Sequence, residues 1–290
     1  MNEIVFSFII PHKNSPDLLQ KCLDSIPRRD DVQIIVVDDN SDADKVDFDH
    51  FPGLEDSMVE VVFDKKGGGC AYATNIALDH AVGKWVVRAD ADDFFCPDIA
   101  VAMDEYRDAS FDIVYFKASS VYLPSMKPAH RGDTNNMAID AALNGGDYRY
   151  LFCNSCPWCK FYKRSFLEKH HLRLHEVRWS TEVTFCAQIA VLADSVAASP
   201  LTIYCVTDSE GTMVKNTSLE CRIVRFEEDC SAVKILRPKV KHFDFLHYWM
   251  FRTWFNVYKI NKRKAISLLP QALSAGKMDF VKQAIKAKFG

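Results

Sequence analysis

Four short runs of β-branched and aromatic residues lie within the first ninety residues, each bounded by polar or turn-forming residues. These runs are IVFSFII (4–10), QIIVV (33–37), VEVVF (59–63) and KWVVR (84–88). Their length and composition predict buried strands. Between them, residues 15–26, with Pro16 at the first helical position, and residues 70–82 have helical spacing. Strands that alternate with helices predict an α/β fold with a mostly parallel central sheet flanked by helices.

The pattern is less regular in the second part of the chain. The predicted elements are a helix over 97–107, a strand over 112–116, a helix over 179–194 and an extended segment over 195–206. Ser180 is expected to cap the second of these helices. The last fifty residues have helical character, so the chain is predicted to end in a helical extension.

Polar segments follow three of the predicted strands. They are PHKN (11–14), DDNS (38–41) and DADD (90–93). In open parallel sheets, ligands bind outside the carboxyl ends of the strands. We therefore expect these three segments to form the functional site together.

Three carboxylates, those of Asp90, Asp92 and Asp93, crowd the segment after the fourth strand. Like charges at this density favour a bound cation, or else they lie on a solvated turn. A hard divalent cation, Mg²⁺ or Mn²⁺, takes carboxylate oxygens and keeps places for phosphate oxygens. Such an ion would make an acidic sheet edge compatible with a diphosphate, so this segment is a candidate metal site.

Two further segments are typical of nucleotide sites, although each also has a simpler interpretation. Asp39 could accept a hydrogen bond from a pyrimidine imide N–H or a ribose hydroxyl, or it could form an Asx-turn that ends the strand. Gly67, Gly68 and Gly69 either allow an anion to approach the N-terminus of a helix or form a flexible loop. No GKS or GKT follows these glycines, and no GxGxxG follows the first strand. This excludes a P-loop and counts against a dinucleotide-binding site.

Composition narrows the class of protein. The chain has 290 residues, 48% hydrophobic and 26% charged, which excludes disordered and fibrous classes. No apolar run reaches the roughly 18 to 20 residues of a membrane-spanning helix, and the N-terminus lacks a signal-peptide pattern. We therefore expect a cytoplasmic protein with reduced cysteines. Cys153, Cys156 and Cys159 have the spacing of metal ligands but lack a fourth ligand nearby, and buried thiols are the simpler expectation.

Charge is unevenly distributed along the chain. From Arg237 to the C-terminus there are twelve Lys and Arg residues against two acidic ones, Asp244 and Asp279. This segment therefore has a net charge of +10, and the rest of the chain has −13. A basic segment is attached to an acidic body.

The order of the motifs resembles that of inverting family 2 glycosyltransferases, which have the Rossmann-like GT-A fold. FSFIIPHKN, IIVVDDNSD and KGGGCAYATNIALDHAVGKWVVRADADD stand where that family has SVIIPTYN, VIVVDDGS, an asparagine-bearing helix and a DxD motif. The resemblance is specific over residues 4–98. It is weaker through PWCKFYKRSFL (157–167) and STEVTF (180–185), and almost absent beyond residue 210.

This resemblance implies functions for individual residues. Asp92 is the expected ligand of Mn²⁺ or Mg²⁺, and Asp39 is expected to face the base, uracil by analogy. Asp90 would hold the ribose or lie near the metal, and Asp93 would orient the turn or the sugar. The expected nucleotide-sugar-binding residues are Pro11, Lys13, Asn14, Asp39, Gly69, Asn75, Asp90 and Asp93.

Inverting transfer also needs a base that takes the proton of the acceptor hydroxyl. The family has an acidic residue for this at the start of a helix, and the matching segment STEVTF makes Glu182 the expected base. Threonine occupies the first acidic place of the family pattern, and a first-turn glutamate can instead stabilise the helix dipole. The chain also departs from the family at Lys13, where an aromatic residue is frequent, and at Thr74, where arginine is frequent.

The basic C-terminal segment has two interpretations. Eight of its aromatic residues lie close together in residues 243–258, and these are Phe243, Phe245, Tyr248, Trp249, Phe251, Trp254, Phe255 and Tyr258. Beside Arg252 and the KINKRK run (259–264), they suit contact with an anionic membrane surface, where a lipid-linked acceptor would be found. They also suit a helical extension packed on the catalytic domain or on a second copy of the chain. Nucleic acid is not an expected partner, because the acidic body opposes it.

These observations predict a catalytic domain over 1–210, with a nucleotide-sugar-binding half (1–98) and an acceptor half (99–210), and a basic helical extension over 211–290. The predicted function is transfer of a sugar from a UDP-hexose or UDP-N-acetylhexosamine to a glycan hydroxyl with inversion. By analogy with the family, this belongs to bacterial capsule, O-antigen or lipooligosaccharide synthesis at the inner face of the membrane. The alternatives are a sugar-nucleotide pyrophosphorylase, although its arginine-containing Gly-rich loop is missing, and a catalytically silent nucleotide-sugar-binding module.

Overall fold

The computed structural model describes residues 3–209, 216–240 and 244–289. Its strands are β1 (Phe6–His12), β2 (Val32–Asp39), β3 (Val59–Asp64), β4 (Trp85–Arg88), β5 (Phe94–Phe95), β6 (Ile113–Tyr122), β7 (Lys127–Pro128), β8 (Lys160–Lys163) and β9 (Val196–Asp208). Its helices are α1 (Pro16–Asp24), α2 (Cys70–His80), α3 (Asp98–Tyr106), α4 (Asp133–Gly145), α5 (Arg149–Phe152), α6 (Arg164–Lys169), α7 (Thr181–Leu192), α8 (Leu219–Leu236), α9 (Asp244–Ile260), α10 (Lys262–Ser267) and α11 (Leu269–Phe289).

One sheet runs through the molecule in the order β3-β2-β1-β4-β8-β6-β9-β5, with β7 paired to β6. The first four strands in this order, β3, β2, β1 and β4, are parallel to one another, as the alternation of strands and helices predicts. The other half is mixed, because β8 is antiparallel to both β4 and β6 while β6 and β9 are parallel. The sequence KFYK of β8 is too short, and too polar at its ends, to stand out in the hydrophobic pattern.

Apolar side chains cover both faces of the sheet. Phe8 of β1 packs in a cluster with Leu19 of α1 and Met103 of α3, whereas its neighbour Ile9 packs in a second cluster with residues of α2, α4 and α7. Successive side chains of a strand point to opposite faces. A strand that is buried on both faces therefore has the continuous apolar run seen in β1.

The helix that carries the expected base begins at a strained position. Ser180 immediately precedes α7, as predicted, but has a left-handed backbone conformation with φ 57°. Its side chain makes no capping hydrogen bond, so the expectation that it caps the helix through its hydroxyl is wrong. Left-handed conformations of residues other than glycine are uncommon and tend to occur near functional sites.

The C-terminal helices pack onto the body of the molecule. Ala187 and Ala190 of α7 form one cluster with buried residues of the extension, among them Phe226, Met250 and Phe251. The prediction of a helical extension is thus confirmed, and no helix within the described residues is long and apolar enough to cross a membrane. The predicted boundary at residues 210–211 and Phe243 lie outside the described residues.

A glycine before β4 marks a close approach of two backbone segments. A Cβ atom at Gly83 would lie 2.8 Å from the backbone nitrogen of Ser7 and 2.9 Å from the carbonyl carbon of Phe6, both in β1. Because a packed central strand cannot move aside freely, we expect Gly83→Ala to lower the free energy of unfolding, measured in urea, by about 1–3 kcal/mol. Gly145→Ala is the control, since a Cβ there meets nothing within 4 Å. An equal loss in both variants would contradict this explanation.

Candidate active site

The strand order β2-β1-β4 brings the three predicted segments together at one edge of the sheet. In the parallel register, His12 at the end of β1 lies opposite Asp38 of β2, and Ile9 lies opposite Arg88 at the end of β4. The segments that follow these strands are therefore neighbours, although they are separated by up to eighty residues along the chain.

A buried hydrogen-bond network joins the ends of β1 and β2. His12 Nε2 accepts the backbone N–H of Ser15 (3.1 Å), which leaves the proton on Nδ1 to donate to Asp38 Oδ1 (2.8 Å). Asp38 also accepts from the backbone N–H and the hydroxyl of Ser41. Burial opposes the charge of Asp38, but the bonds from His12 and Ser41 hold its pKa below the usual value. The sequence alone assigned no function to His12.

The predicted nucleotide-binding loop is held by the turn after β2. Asn14 donates its amide N–H to Asp42 Oδ2 (2.9 Å) and accepts the backbone N–H of Asp42 (2.7 Å), so its side chain shapes the loop. Lys13 donates to the backbone oxygen of Asp39 (2.9 Å) and keeps about half of its side chain exposed. Pro11 is buried within β1. Of these three predicted residues, Lys13 is the one whose side chain is open to solvent at the site.

Asp39 connects the end of β2 to the glycine segment. Both of its carboxylate oxygens accept the backbone N–H of Gly69, at 2.9 and 3.0 Å, and the Nζ of Lys13 lies 3.7 Å from Oδ2. Gly69 precedes α2 with φ 92°, and nothing lies within 4 Å of the position that its Cβ would occupy. The backbone there is open to a ligand at the N-terminus of a helix.

Asn75, predicted to bind the donor, has its amide group engaged elsewhere. Its Nδ2 donates to the backbone oxygen of Leu174 (3.0 Å), and its Oδ1 accepts the backbone N–H of Leu174 (2.9 Å). These bonds tie α2 to the segment before α7. Thr74 is buried and bonds the backbone oxygen of Cys70 within its own helix, so it does not replace the arginine that the resemblance implies.

The three carboxylates after β4 have different partners. Asp90 Oδ1 accepts from Arg88 Nη2 at 2.7 Å. Asp93 is buried, and its Oδ1 accepts the backbone N–H of Thr207 at 2.7 Å. Within the described residues, the carboxylate of Asp92 forms no hydrogen bond to another residue. Asp92 is therefore the carboxylate of the three that remains available for an external partner.

The acidic turn is electrostatically strained. Burial, followed by the negative charge of Asp90, raises the pKa of Asp92 and raises that of Asp93 well above its usual value. Arg131 and Arg88 act in the opposite direction on Asp92. A cation in front of Asp92 would relieve this repulsion.

Arg88 is an unexpected member of the site. Its side chain is 95% buried, and its Nη2 donates to Asp90 and lies 3.2 Å from the Sγ of Cys70. In the part of the chain that the structure describes, its Nε and Nη1 have no hydrogen-bond partner. Leaving buried N–H groups unpaired is costly, which points to a function for this arginine. The signal in the sequence is a charged residue that ends the otherwise apolar run WVV.

Glu182 lies in the first turn of α7 and is half-buried. Its Oε2 accepts a hydrogen bond from the hydroxyl of Thr181 at 3.1 Å. Burial raises the pKa of Glu182, and the positive charge of Arg88 opposes this effect. The charge of one buried arginine thus acts on both the acidic turn and the expected base.

The cysteine motif does not form a metal site. No group of three or more potential ligands occurs within the described residues. Cys159 is buried, and the backbone oxygen of Cys156 accepts a hydrogen bond from the buried ammonium group of Lys160. Burial raises the pKa of the thiols of Cys153 and Cys156 to about 12, so both stay protonated at neutral pH. The expectation of buried thiols holds for Cys159, whereas Cys153 and Cys156 are partly buried.

Residues 7–170, more than half of the chain, match the family model of glycosyl transferase family 2. The chain belongs to this family. The resemblance inferred from the three strand-end motifs is therefore confirmed at the level of the family, and these motifs lie inside the matched range.

Known relatives of this family 2 glycosyltransferase align over limited lengths. It is 23% identical over 195 residues to the uncharacterized glycosyltransferase YibD of Escherichia coli. This alignment covers 62% of this chain and 56% of that protein. It is 31% identical over 93 residues to poly(ribitol-phosphate) beta-glucosyltransferase of Bacillus spizizenii, which covers 30% of this chain and 15% of that protein. The chain thus spans little more than half the length of one curated relative and less of the other.

Solved structures confirm the α/β fold of this family 2 glycosyltransferase. TarS 1–349 of S. aureus, in complex with UDP-GlcNAc, has 17% sequence identity and a TM-score of 0.63, over 97% of this chain and 81% of that one. The mannosyltransferase PcManGT of Pyrobaculum calidifontis, in complex with GDP-Man and Mn²⁺, has 19% identity and a TM-score of 0.57, over 99% and 85%. At these identities the likeness shows the fold alone.

The residues of this glycosyltransferase fit a divalent cation whose coordination is completed by oxygen atoms of the substrate. Mg²⁺ beside a nucleotide is typically held by one or two carboxylates, with the other places taken by phosphate oxygens and water. Asp92 supplies a carboxylate free of other hydrogen bonds, whereas those of Asp90 and Asp93 are engaged by Arg88 and Thr207.

Proposed function

We propose that this family 2 glycosyltransferase transfers a hexose or N-acetylhexosamine from a UDP-linked donor to a hydroxyl of a glycan, with inversion at the anomeric carbon. The observation that supports it is that the charge of one buried arginine, Arg88, acts both on an available carboxylate, Asp92, and on a half-buried carboxyl group, Glu182. The complex of TarS with UDP-GlcNAc supports the donor class.

The donor would lie across the ends of β1, β2 and β4. Lys13 and the carboxylate of Asp39 would face the base, the open backbone of Gly69 would approach the sugar or phosphate, and Asp92 would hold Mn²⁺ or Mg²⁺. When bound, such an ion neutralises the charge that develops on the leaving diphosphate. Asp90, held by Arg88, would be positioned towards the ribose, while Asp93 would fix the turn through Thr207.

Glu182 would act on the acceptor. Its carboxylate takes the proton of the acceptor hydroxyl as that oxygen attacks the anomeric carbon, and the bond from this carbon to the diphosphate oxygen breaks on the opposite face. A carboxylate with a raised pKa is a stronger base than an ordinary glutamate. The proton then leaves Glu182 for solvent, which restores the carboxylate for the next turnover.

The setting we propose is the synthesis of a bacterial surface polysaccharide on the cytoplasmic side of the membrane. The name of the poly(ribitol-phosphate) beta-glucosyltransferase supports a polymeric surface acceptor. Such acceptors are often anchored at a membrane, and the exposed side of α9 and α10 offers a suitable surface. Tyr248 and Phe255 are exposed there, with Lys259 4.9 Å from the centre of the Phe255 ring and Lys262 5.8 Å from that of Tyr258.

We expect this surface to bind anionic lipid. The double variant Arg263→Glu, Lys264→Glu should weaken binding to vesicles containing phosphatidylserine by about tenfold or more, since each basic residue near such a surface contributes about 1 kcal/mol. Cosedimentation with vesicles measures the affinity, and vesicles of phosphatidylcholine alone should not bind. Lys21→Glu, Lys169→Glu reverses two exposed charges elsewhere and is the control. Equal binding by both double variants would exclude this surface.

Donor turnover tests the proposed function. The protein is incubated with UDP-glucose, UDP-GlcNAc or GDP-mannose, with and without Mn²⁺, and release of nucleoside diphosphate is measured. We expect slow release from a UDP-sugar in the presence of Mn²⁺ and without added pyrophosphate. Turnover only with pyrophosphate would indicate a pyrophosphorylase, and binding without turnover would indicate a silent module. Preference for GDP-mannose would overturn the UDP assignment.

The raised pKa of Glu182 predicts the pH dependence of transfer. Glu182 must be ionised to act as a base. The transfer rate is therefore maximal at pH values above the pKa of Glu182 and falls as the pH decreases through this pKa. Because burial raises this pKa above the usual value of 4.5, kcat/KM should begin to fall at a pH above 4.5. The pH profile of kcat/KM, recorded with the same substrates at every pH value, measures this decrease. A rate that stays constant down to the ordinary range of a glutamate would contradict the assignment.

A further inference from the structure

A cavity of about 280 Å³ lies between the catalytic domain and the C-terminal helices. Its lining includes Arg131, Asn154 and Cys186 from the catalytic domain and Asp229, Phe245 and Trp249 from α8 and α9. The resemblance to the family ends near residue 210, so the part of the wall that belongs to the extension comes from a region of the chain that carries no family motif.

The cavity adjoins both groups to which we assign the chemistry. Cys186 lines it and lies one helical turn after Glu182, so the two side chains share a face of α7. On another side, the charge of Arg131 acts on the acidic turn at Asp92. The cavity therefore lies beside the proposed base and within electrostatic reach of the proposed metal ligand.

The wall combines apolar and aromatic surface with a few polar groups, as small-molecule sites do. Phe245 and Trp249 pack edge to face with ring centres 6.0 Å apart, and Trp249 remains partly exposed. Asp229 Oδ2 accepts a hydrogen bond from the hydroxyl of Thr253 (2.8 Å). Burial raises the pKa of Asp229 to about 7, so near neutral pH this carboxyl group can donate to a hydroxyl as well as accept from one.

The volume suits one six-membered ring with its substituents. An apolar cavity of about 150 Å³ holds benzene, and this one is roughly twice as large. A sugar ring presents C–H groups to an aromatic face and hydroxyls to polar groups, and the lining supplies Trp249 for the first and Asp229 and Asn154 for the second. Asn154 donates one N–H to Asn135 (2.7 Å) and accepts the N–H of Cys156 (2.9 Å), so a hydroxyl would receive its second N–H. The charged side chains of the lining are one basic residue, Arg131, and one acidic residue, Asp229, so the wall has no excess of charge that would favour a charged sugar.

We propose that this cavity binds an uncharged hexose or N-acetylhexosamine ring of the acceptor, and that the C-terminal extension thereby supplies part of the acceptor site. The inference rests on the proposed transferase function. Trp249 would stack on the ring, Asp229 and Asn154 would bind its hydroxyls, and the extension would determine acceptor specificity.

The test uses p-nitrophenyl hexosides and N-acetylhexosaminides as acceptor probes, with binding followed by ligand-observed NMR and transfer by product formation. Trp249→Ala should weaken acceptor binding about tenfold, the effect of losing roughly 1.4 kcal/mol, while donor hydrolysis without acceptor stays within about twofold of the unmodified protein. Tyr248→Ala is the matched control, because this neighbouring aromatic residue does not line the cavity. Asp229→Asn should impair acceptor binding in the same selective way.

Ala232→Phe fills the cavity from α8 and should also abolish acceptor binding without loss of donor hydrolysis. Acceptor affinity that is unchanged in Trp249→Ala and Asp229→Asn, both folded as shown by retained donor hydrolysis, would overturn the site. Failure of every glycoside to bind the unmodified protein would do the same. Absence of donor turnover by the unmodified protein is a separate outcome, which would overturn the proposed function and the acceptor site with it.

Discussion

Glu182→Gln should reduce sugar transfer by a factor of about 10²–10⁴ and leave donor affinity unchanged, because glutamine keeps the shape of the side chain but cannot accept a proton. The half-buried position in the first turn of α7 and the raised pKa equip this glutamate to act as a base. Its hydrogen bond from Thr181 can be made equally well by the amide oxygen. The loss should therefore appear in kcat for transfer.

The alternative is that Glu182 only stabilises the helix dipole, and the two explanations predict different results. In that case the variant would lose roughly 0.3–1 kcal/mol of stability and keep its transfer rate. Initial rates of transfer, donor affinity by calorimetry and urea unfolding separate these outcomes. Glu168→Gln, the same change at an exposed residue of α6, is the control. Full transfer by Glu182→Gln would show that another group is the base.

The first half of the fold was predictable because it follows from local pattern. The strands β1 to β4 are apolar runs separated by two helices with clear spacing, and parallel strands place their carboxyl ends at one edge. The second half was less predictable. β8 has only four residues, and the antiparallel pairing that it forms with β4 and β6 depends on contacts that a short polar-ended strand does not reveal in its sequence.

Within the site, the sequence could indicate where carboxylates gather but could not distinguish among them. The partner of Asp93 is Thr207, more than a hundred residues away, and no local pattern announces it. The same holds for Asn75, whose amide group is engaged by the backbone of Leu174. Arg88 is visible in the sequence as a charge at the end of an apolar strand, but its burial and unpaired N–H groups appear only in the structure.

The C-terminal segment shows a limit of another kind. Composition indicated an aromatic, basic helical region, yet both interpretations of it drew on the same residues. In the structure Phe251 packs inward with Met250, whereas Tyr248 and Phe255 face solvent. Packing and surface contact thus involve different faces of α9. A helical pattern that is hydrophobic nearly all round cannot reveal this division without its neighbours.

Asp92→Asn should weaken the Mn²⁺-dependent part of donor binding by about a hundredfold or more. Mutation of groups that merely support a metal ligand costs about 10–100-fold in metal affinity, so loss of a ligand should cost at least the upper value. The affinity for a UDP-sugar, measured by calorimetry over a range of Mn²⁺ concentrations, should become almost independent of the ion. Asp108→Asn, which neutralises an exposed carboxylate beyond the end of α3, is the control.

A second measurement distinguishes a metal ligand from a residue that only holds the turn. Burial and the charge of Asp90 raise the pKa of Asp92, so its negative charge is less well stabilised in the folded protein than that of an ordinary exposed aspartate. Replacement by asparagine removes that repulsion and should leave the melting temperature of the ion-free protein unchanged or higher. Asp93→Ala, by contrast, should lower it, because it removes the buried oxygen that accepts the N–H of Thr207. If Asp92→Asn kept the Mn²⁺ response, or lost stability as Asp93→Ala does, the assignment of Asp92 as the ligand would be wrong.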